Sequence, residues 1–453
     1  MAATLEKISI LMFPWLAHGH ISPYLELAKN LTQKNFQVFF CSTPVNLKPI
    51  RENYEPMSSI QLVDLQLPPM DQLPPQFHTT KDLPPHLMST LKTALDMAKP
   101  EFSRILMTLK PDIVIFYYLQ PWAKDAAEEQ GIQAVTFMTV GAVSSSFLVH
   151  YSIMDDRRKE FPFQEINFPE TERREMMKFM HDSANGKTNG ERYLESFRRS
   201  AGFVLMKTSR EIEGKYIDYL SGLVQNEIVP VGPLVQEPEY KDEDSVMIMN
   251  WLSDKEPSSV AYVSFGSEYF LSKEEVEEIA HGLELSKVSF IWVVRFHGGD
   301  RGRTTIHDVL PEGFLRRIGE RGMVLEGWAP QAKILSHGSI GGFVSHCGWS
   351  SILEGMMFGV PIIAMPMQLD QPLNAKLVVE GYLGSQVPRN NGKFKREEVA
   401  SVINEVVVAK QGEKVRLRAK ELGKKMREKR GEEIDLVAKK ISQLVKDESS
   451  QDY

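Results

Sequence analysis

The chain has 453 residues, 42% hydrophobic and 25% charged, with a formal net charge of −7. That length exceeds one ordinary core and sets two domains as the expectation, while the acidic balance gives no reason to expect nucleic acid as a partner. Two cysteines, Cys41 and Cys347, exclude a disulfide framework and a cysteine-rich zinc site; they fit a reducing compartment, and with no apolar run of membrane-spanning length the expectation is a cytoplasmic protein.

In chain order, the first apolar run is ISILMFPWLA at 8–17. Glu6 and Lys7 precede it and HGHISP follows, so it lacks the flanks of a signal peptide and reads as a buried strand. A helix is expected over 22–34, with Ser22 as N-cap and Pro23 in the first turn. Strands are expected at 37–43, 60–66, 112–118, 134–138, 202–208 and 227–232, and helices at 87–109 and 121–130. The strands are almost continuously apolar, which marks a parallel sheet covered on both faces. The segment VGPLVQEPEYKDEDS (231–245) is rich in proline and acid and reads as a domain boundary.

The pattern then restarts. Strands at 259–267, 289–296, 322–328, 340–347 and 361–366, with a helix at 273–286, define a second parallel sheet. The loop HGGDRGRTT (297–305) is polar, and 413–447 reads as one basic helix with a solvated face. The expected architecture is α/β, with two facing doubly wound Rossmann-like domains, an interdomain cleft and ligands at the carboxyl ends of the strands. The expected domains are 1–235, 236–430 and a C-terminal helix, 431–453, packing back on the first.

Residues 341–355, GGFVSHCGWSSILEG, concentrate chemistry-bearing side chains. His346 and Cys347 are adjacent, so on a strand they point to opposite faces and do not share a metal ion. Cys347 at a strand end reads as a buried small hydrophobe rather than a nucleophile. Gly348 leads into a helix near Ser350, and a helix N-terminus offers backbone N–H groups and a positive dipole end to an anion. Ser350 and Ser351 either cap that helix or donate to phosphate oxygens. Asp242-Glu243-Asp244 lies in the linker and reads as solvated charge.

The wider stretch WAPQAKILSHGSIGGFVSHCGWSSILEGMMFGVPIIAMPMQLDQ (328–371) resembles the signature box of plant family 1 UDP-sugar glycosyltransferases, which have the GT-B fold. The resemblance implies that Trp328 stacks on uracil beside Ala329, that Gln331 and Glu354 bind ribose, and that His346, Gly348 and Ser351 hold the diphosphate. It implies that Trp349, Asp370 and Gln371 face the sugar, and that Ser267 in VSFGS and Thr139 join the donor contacts. Ser350 stands where the family usually has Asn, which implies weakened or altered donor binding.

In the family the base lies in a GHxxP motif, here Gly19-His20-Ile21-Ser22-Pro23. His20 would take a proton from an acceptor hydroxyl, giving inversion to a β-linked product. The family's orienting aspartate is replaced by Tyr117, whose hydroxyl either orients His20 or only packs. The resemblance implies no cofactor and no metal, since UDP-glucose is a substrate. The resemblance implies that terminal Gln371 with Trp349 favours UDP-glucose over galactose, although xylose and glucuronate users also appear among relatives. The segments 41–47, 78–91 and 265–284 resemble the branch-forming members, which add sugar to a terpenoid, flavonoid or lignan glycoside. The expected partners are the donor and a small glycoside acceptor, for a monomer. The competing reading is a UDP-sugar-binding protein with catalysis impaired at Tyr117.

Overall fold

A computed structural model describes residues 7–53, 59–153, 160–236, 243–296 and 305–449. Residues 297–304 of the expected polar loop at 297–305, and 237–242 of the expected boundary segment at 231–245, lie outside the described residues. The chain divides into two compact units. One comprises Met1–Pro162, Asn167–Leu234 and Lys429–Tyr453; the other comprises Phe163–Ile166 and Val235–Glu428.

The first unit is built on strands β1 (Ser9–Phe13), β2 (Gln37–Ser42), β3 (Ile60–Asp64), β4 (Ile113–Phe116) and β5 (Gln133–Met138). A small antiparallel pair, β6 (Ser183–Ala184) and β7 (Lys187–Thr188), precedes β8 (Phe203–Met206) and β9 (Glu227–Pro230). The main sheet runs β3-β2-β1-β4-β5-β8-β9, with each neighbouring pair parallel. Apolar side chains dominate because helices cover both faces: all four residues of β4, IVIF, are buried.

The second unit repeats the logic with β10 (Val260–Ser264), β11 (Ser289–Val294), β12 (Gly322–Glu326), β13 (Ile340–Ser345), β14 (Ile362–Ala364) and β15 (Gly384–Gln386). Their order is β12-β11-β10-β13-β14-β15, again parallel. Trp292, Phe290 and Phe314 pack with Val399 and Ile403 in its core. In each sheet the chain winds outward from a central strand, then returns to that strand's other side. The winding therefore reverses between β1 and β4 and between β10 and β13, the positions where doubly wound sheets open a crevice at the strands' carboxyl ends.

Three local expectations are corrected. The first helix begins at His18, with Ala17 as N-cap, and places Pro23 inside it. Ala17 offers its carbonyl to the N–H groups of both His20 and Ile21, which starts the helix before the serine. The segment 87–109 is two helices, Met88–Asp96 and Lys99–Leu109, because Pro100 lacks the N–H needed to continue the first. Strand β15 was missed because its sequence, GSQ, carries no apolar run.

The basic C-terminal segment is one helix, Glu413–Ser449. Its buried residues, Ala419, Leu422 and Met426, then Ile434, Val437 and Ile441, recur at helical spacing around a polar gap. The gap coincides with the passage from one unit to the other at Lys429. Beyond it, Lys429 bonds Glu211 at 2.5 Å, Asp435 pairs with Lys34 at 2.5 Å and Lys440 bonds Glu227 at 2.7 Å.

Candidate functional site

The first cluster gathers at the carboxyl ends of β1, β4, β5 and β8. His20 stands in the first turn after β1, and Tyr117, Thr139 and Lys207 each directly follow a strand. Parallel pairing of Met138 with Met206 makes Thr139 and Lys207 neighbours, and the Lys207 N–H donates to the Met138 carbonyl at 2.8 Å.

His20 Nδ1 lies 2.7 Å from Thr139 Oγ1. Thr139, and not Tyr117, is therefore the hydrogen-bond partner of this imidazole. Tyr117 lays its ring against the imidazole, centroids 4.5 Å apart and planes at 52°, so its buried side chain and Thr139 both meet the same ring. The reason is register: β4 ends one residue before Tyr117, so the phenol is already turned into the layer where it also meets Tyr118. Burial, reinforced by the positive charge of Lys207, lowers the His20 pKa to about 4. The carboxylates flanking this strand are engaged elsewhere. Asp112 accepts from the Ser9 N–H and hydroxyl at 2.7 Å each, and Asp125 pairs with Arg199. Trp122 donates to Asp96 at 2.9 Å, and Asp96 forms a buried two-pronged pair with Arg192.

The second cluster follows β10, β13 and β14. His346 is the residue after β13. Its ring lies between two glycines: a Cβ on Gly266 would fall 2.6 Å from Nε2, and one on Gly348 would fall 2.5 Å away. Gly266 also has φ +76°, a backbone that favours glycine. Burial lowers the His346 pKa to about 4, with the nearby Ser264 backbone opposing and Arg295 assisting, which favours the neutral ring. Cys347 holds φ +64° and is buried, its thiol pKa pushed up by burial and its sulfur near the Ser345 carbonyl. That environment suits an inert thiol.

The helix Trp349–Phe358 starts at Gly348 without a capping side chain. Ser350 and Ser351 thus stand in its first turn rather than at its cap. Glu354, one turn on, accepts from Gln331 Nε2 at 2.9 Å, with Ser351 Oγ 3.5 Å from the same nitrogen. Tyr262 donates to Gln331 Oε1 at 3.4 Å. Ala329 is buried, whereas Trp328 is 68% exposed and Ser267 is exposed on the turn after β10. Trp349 is buried.

Gln371 is buried at the start of the helix Gln371–Glu380. Its Oε1 accepts from the N–H groups of Met367 and Gln368, both at 2.9 Å. That fixes the amide's orientation and leaves its NH₂ end as the donor. Burial raises the Asp370 pKa, opposed by a bond from Asn374 at 2.9 Å. Asn374 also donates to the Cys347 carbonyl at 3.0 Å and so ties the 370 loop to the 347 turn. Sequence reasoning missed Asn374, Gly266 and Lys207. Asn374 had a signal, standing four residues after Asp370 on a helix; Lys207 had only its place at the end of GFVLMKT.

These two clusters lie where a doubly wound fold binds ligands, and comparison with known proteins gives the class. Residues 241–422 match the UDP-glucoronosyl and UDP-glucosyl transferase family, and 6–236 match the glycosyltransferase N-terminal domain. The chain is 52% identical to a flavanone 7-O-glucoside 2''-O-beta-L-rhamnosyltransferase of Citrus maxima, over 97% of this chain and 98% of that one. It is 48% identical to a beta-D-glucosyl crocetin beta-1,6-glucosyltransferase of Gardenia jasminoides, over 96% and 98%. UGT73P12 of Glycyrrhiza uralensis, solved with glycyrrhetinic acid 3-O-monoglucuronide, superposes with a TM-score of 0.83 over 99% of this chain and 98% of that one, at 22% identity.

The fold is the two-sheet GT-B class. The chain belongs to the plant family 1 UDP-glycosyltransferases and is a glycosyltransferase enzyme. Among the described residues no helix is long and apolar enough to cross a membrane.

Proposed function

We propose that this enzyme transfers glucose from UDP-glucose, with inversion, to a sugar hydroxyl of an existing terpenoid, flavonoid or lignan glycoside. Residues 1–235 serve the acceptor, 236–430 serve the donor, and 431–453 belong with the first. The observation that carries the donor half is the Gln331–Glu354 pair one helical turn from an uncapped N-terminus, with the exposed Trp328 indole beside it in sequence. A carboxylate accepts from vicinal hydroxyls, an indole plane suits a base, and helix N–H groups with neutral His346 suit a diphosphate. Trp328 and Ala329 take the uracil. Gln331 and Glu354 take the ribose. Ser267, His346, Gly348, Ser350 and Ser351 take the diphosphate, and Trp349, Asp370 and Gln371 take the sugar. The Gln371 NH₂, oriented by the two bonds to its oxygen, supports a hydroxyl-rich sugar such as glucose.

His20 is the base in this reading. The acceptor oxygen forms its bond to the sugar's anomeric carbon as the bond to UDP breaks, and the acceptor proton passes to His20 Nε2. A single displacement turns an α-linked donor into a β-linked product. The glycoside acceptor is supported by the two relatives, whose names specify glucosylated substrates. Those names also specify different transferred sugars, so the decisive test is competition. The protein is incubated with UDP-glucose, UDP-rhamnose or UDP-glucuronate and a panel of aglycones with their glucosides, and products are weighed and linkage-mapped. Hexose added to glucosides above aglycones is the expected result; a deoxyhexose product, or preference for aglycones, overturns it. We further place the enzyme in the cytoplasm as a monomer, which fractionation and sedimentation check; its two cysteines are free and buried, as a reducing compartment allows.

A further inference from the structure

His20 must do two things to serve as a base: present an unprotonated Nε2, and hold it still. Both depend on Nδ1. If Nδ1 carries the hydrogen, Nε2 has the lone pair; if Nδ1 is itself an acceptor, Nε2 carries the hydrogen and the ring cannot take a proton there. A carboxylate beside Nδ1 removes the ambiguity because it only accepts. Here the group beside Nδ1 is the Thr139 hydroxyl, at 2.7 Å, which can both accept and donate.

We propose that Thr139 and Tyr117 form a neutral hydroxyl pair that replaces a carboxylate, with Thr139 accepting the His20 Nδ1–H and thereby fixing the tautomer whose Nε2 is free. This inference rests on His20 being the base. Tyr117 is the second member because its ring braces the same imidazole that Thr139 contacts, which brings the two hydroxyl-bearing side chains to one ring. A lone pair of the Thr139 hydroxyl receives the imidazole hydrogen. Both residues are buried, Thr139 at 4% and Tyr117 at 1% exposure, so water competes little for the bond to the imidazole.

The pair orients but supplies no negative charge. The charge that acts on His20 is that of Lys207, which follows β8 as Thr139 follows β5, and it opposes imidazolium. Thr139 is therefore a positioning residue for His20, distinct from the donor contact that family resemblance assigns to it. The two roles separate experimentally. A donor contact affects the KM for UDP-glucose; a positioning contact affects turnover and the imidazole's hydrogen.

The test uses the full chain with ¹⁵N-labelled histidine. Nitrogen–proton correlation spectra, assigned by the signal lost in His20→Ala, report which His20 nitrogen is protonated without any substrate. The expected result is a protonated Nδ1 in the wild type, and a mixture or the reverse in Thr139→Val. Thr139→Val should also lower kcat about 10- to 100-fold with the KM for UDP-glucose within twofold, and Thr139→Ser should restore both turnover and spectrum. Tyr117→Phe should lower kcat by a smaller factor. Thr139→Asp should move the acidic limb of kcat/KM up by more than one pH unit, since a carboxylate favours imidazolium.

A wild-type spectrum with hydrogen on Nε2 overturns the proposal, as does a Thr139→Val variant whose tautomer is unchanged and whose defect is confined to KM. If instead the spectra behave as expected but His20→Ala retains turnover, the hydroxyl pair stands and the assignment of His20 as base fails.

Discussion

From Trp328 to Gln371 one unbroken stretch carries nearly every proposed donor contact, whereas His20, Tyr117, Thr139 and Lys207 are contributed by four strand ends between residues 20 and 207. Both clusters occupy the reversal point of a parallel sheet. They differ in how their geometry is fixed. The donor stretch is held locally: Gly348 makes room for His346, Gln331 bonds Glu354, and Asn374 ties Cys347 to Asp370. The His20 cluster is held by strand register, and its polar contacts run between residues 119 positions apart. A local arrangement is set by neighbours in the chain; a register-built one depends on where separate strands end, so a single substitution at a strand end, such as at Tyr117, reaches it directly.

The sharpest way to break this comparison is His20→Ala. Turnover should fall by roughly 10²–10⁴-fold, while UDP affinity, measured by calorimetry, stays within a few-fold. Loss of UDP binding would show that the two clusters do not divide the work as proposed.

Gly266→Ala attacks the other side. It places a Cβ against the His346 ring from a backbone at φ +76°, and should weaken UDP binding by about tenfold or more. The His20 resonance should be unmoved. A change there would mean the clusters are coupled through the fold.

Lys207→Met sharpens the electrostatic half. Lys207 disfavours imidazolium, so its removal should raise the His20 pKa from about 4 and carry the acidic limb of kcat/KM upward by about one pH unit. Turnover at pH 8 should change little. A limb that stays in place would exclude Lys207 from the relay.

The smallest effect concerns the scaffold of the first unit. Burial raises the Glu433 pKa to about 7, with Ser209 opposing and Glu211 assisting. A carboxyl whose folded pKa is raised contributes stability below its ordinary value and loses it as pH rises through about 7. Glu433→Gln, neutral throughout, should therefore stabilise the protein by on the order of 1 kcal/mol at pH 8 and leave it unchanged at pH 4.5. Urea unfolding at the two pH values decides.

The two sheets were legible because continuous apolar runs bounded by turns have few alternatives, and the donor stretch because its residues are contiguous. The His20 partner was not legible. The choice between Tyr117 and Thr139 is set by where β4 and β5 end relative to one another, and no periodicity in either strand encodes that. Ser22 misled because a serine before a proline is an ordinary helix start, yet the Ala17 carbonyl had already gathered two N–H groups. Asn374 went unnoticed because its partner, the Cys347 carbonyl, is backbone and leaves no mark in composition.

The exposure of Trp328 has an optical consequence. Of the six tryptophans, Trp15, Trp292 and Trp349 are buried and Trp122 and Trp251 are half-buried, while Trp328 stands 68% open to water. Its fluorescence should form the long-wavelength edge of the emission and be the first extinguished by acrylamide. A nucleobase lying on that indole, as proposed for Trp328, would dim the edge and shield it, and the untreated protein would then carry its own dye for following donor arrival and departure in real time.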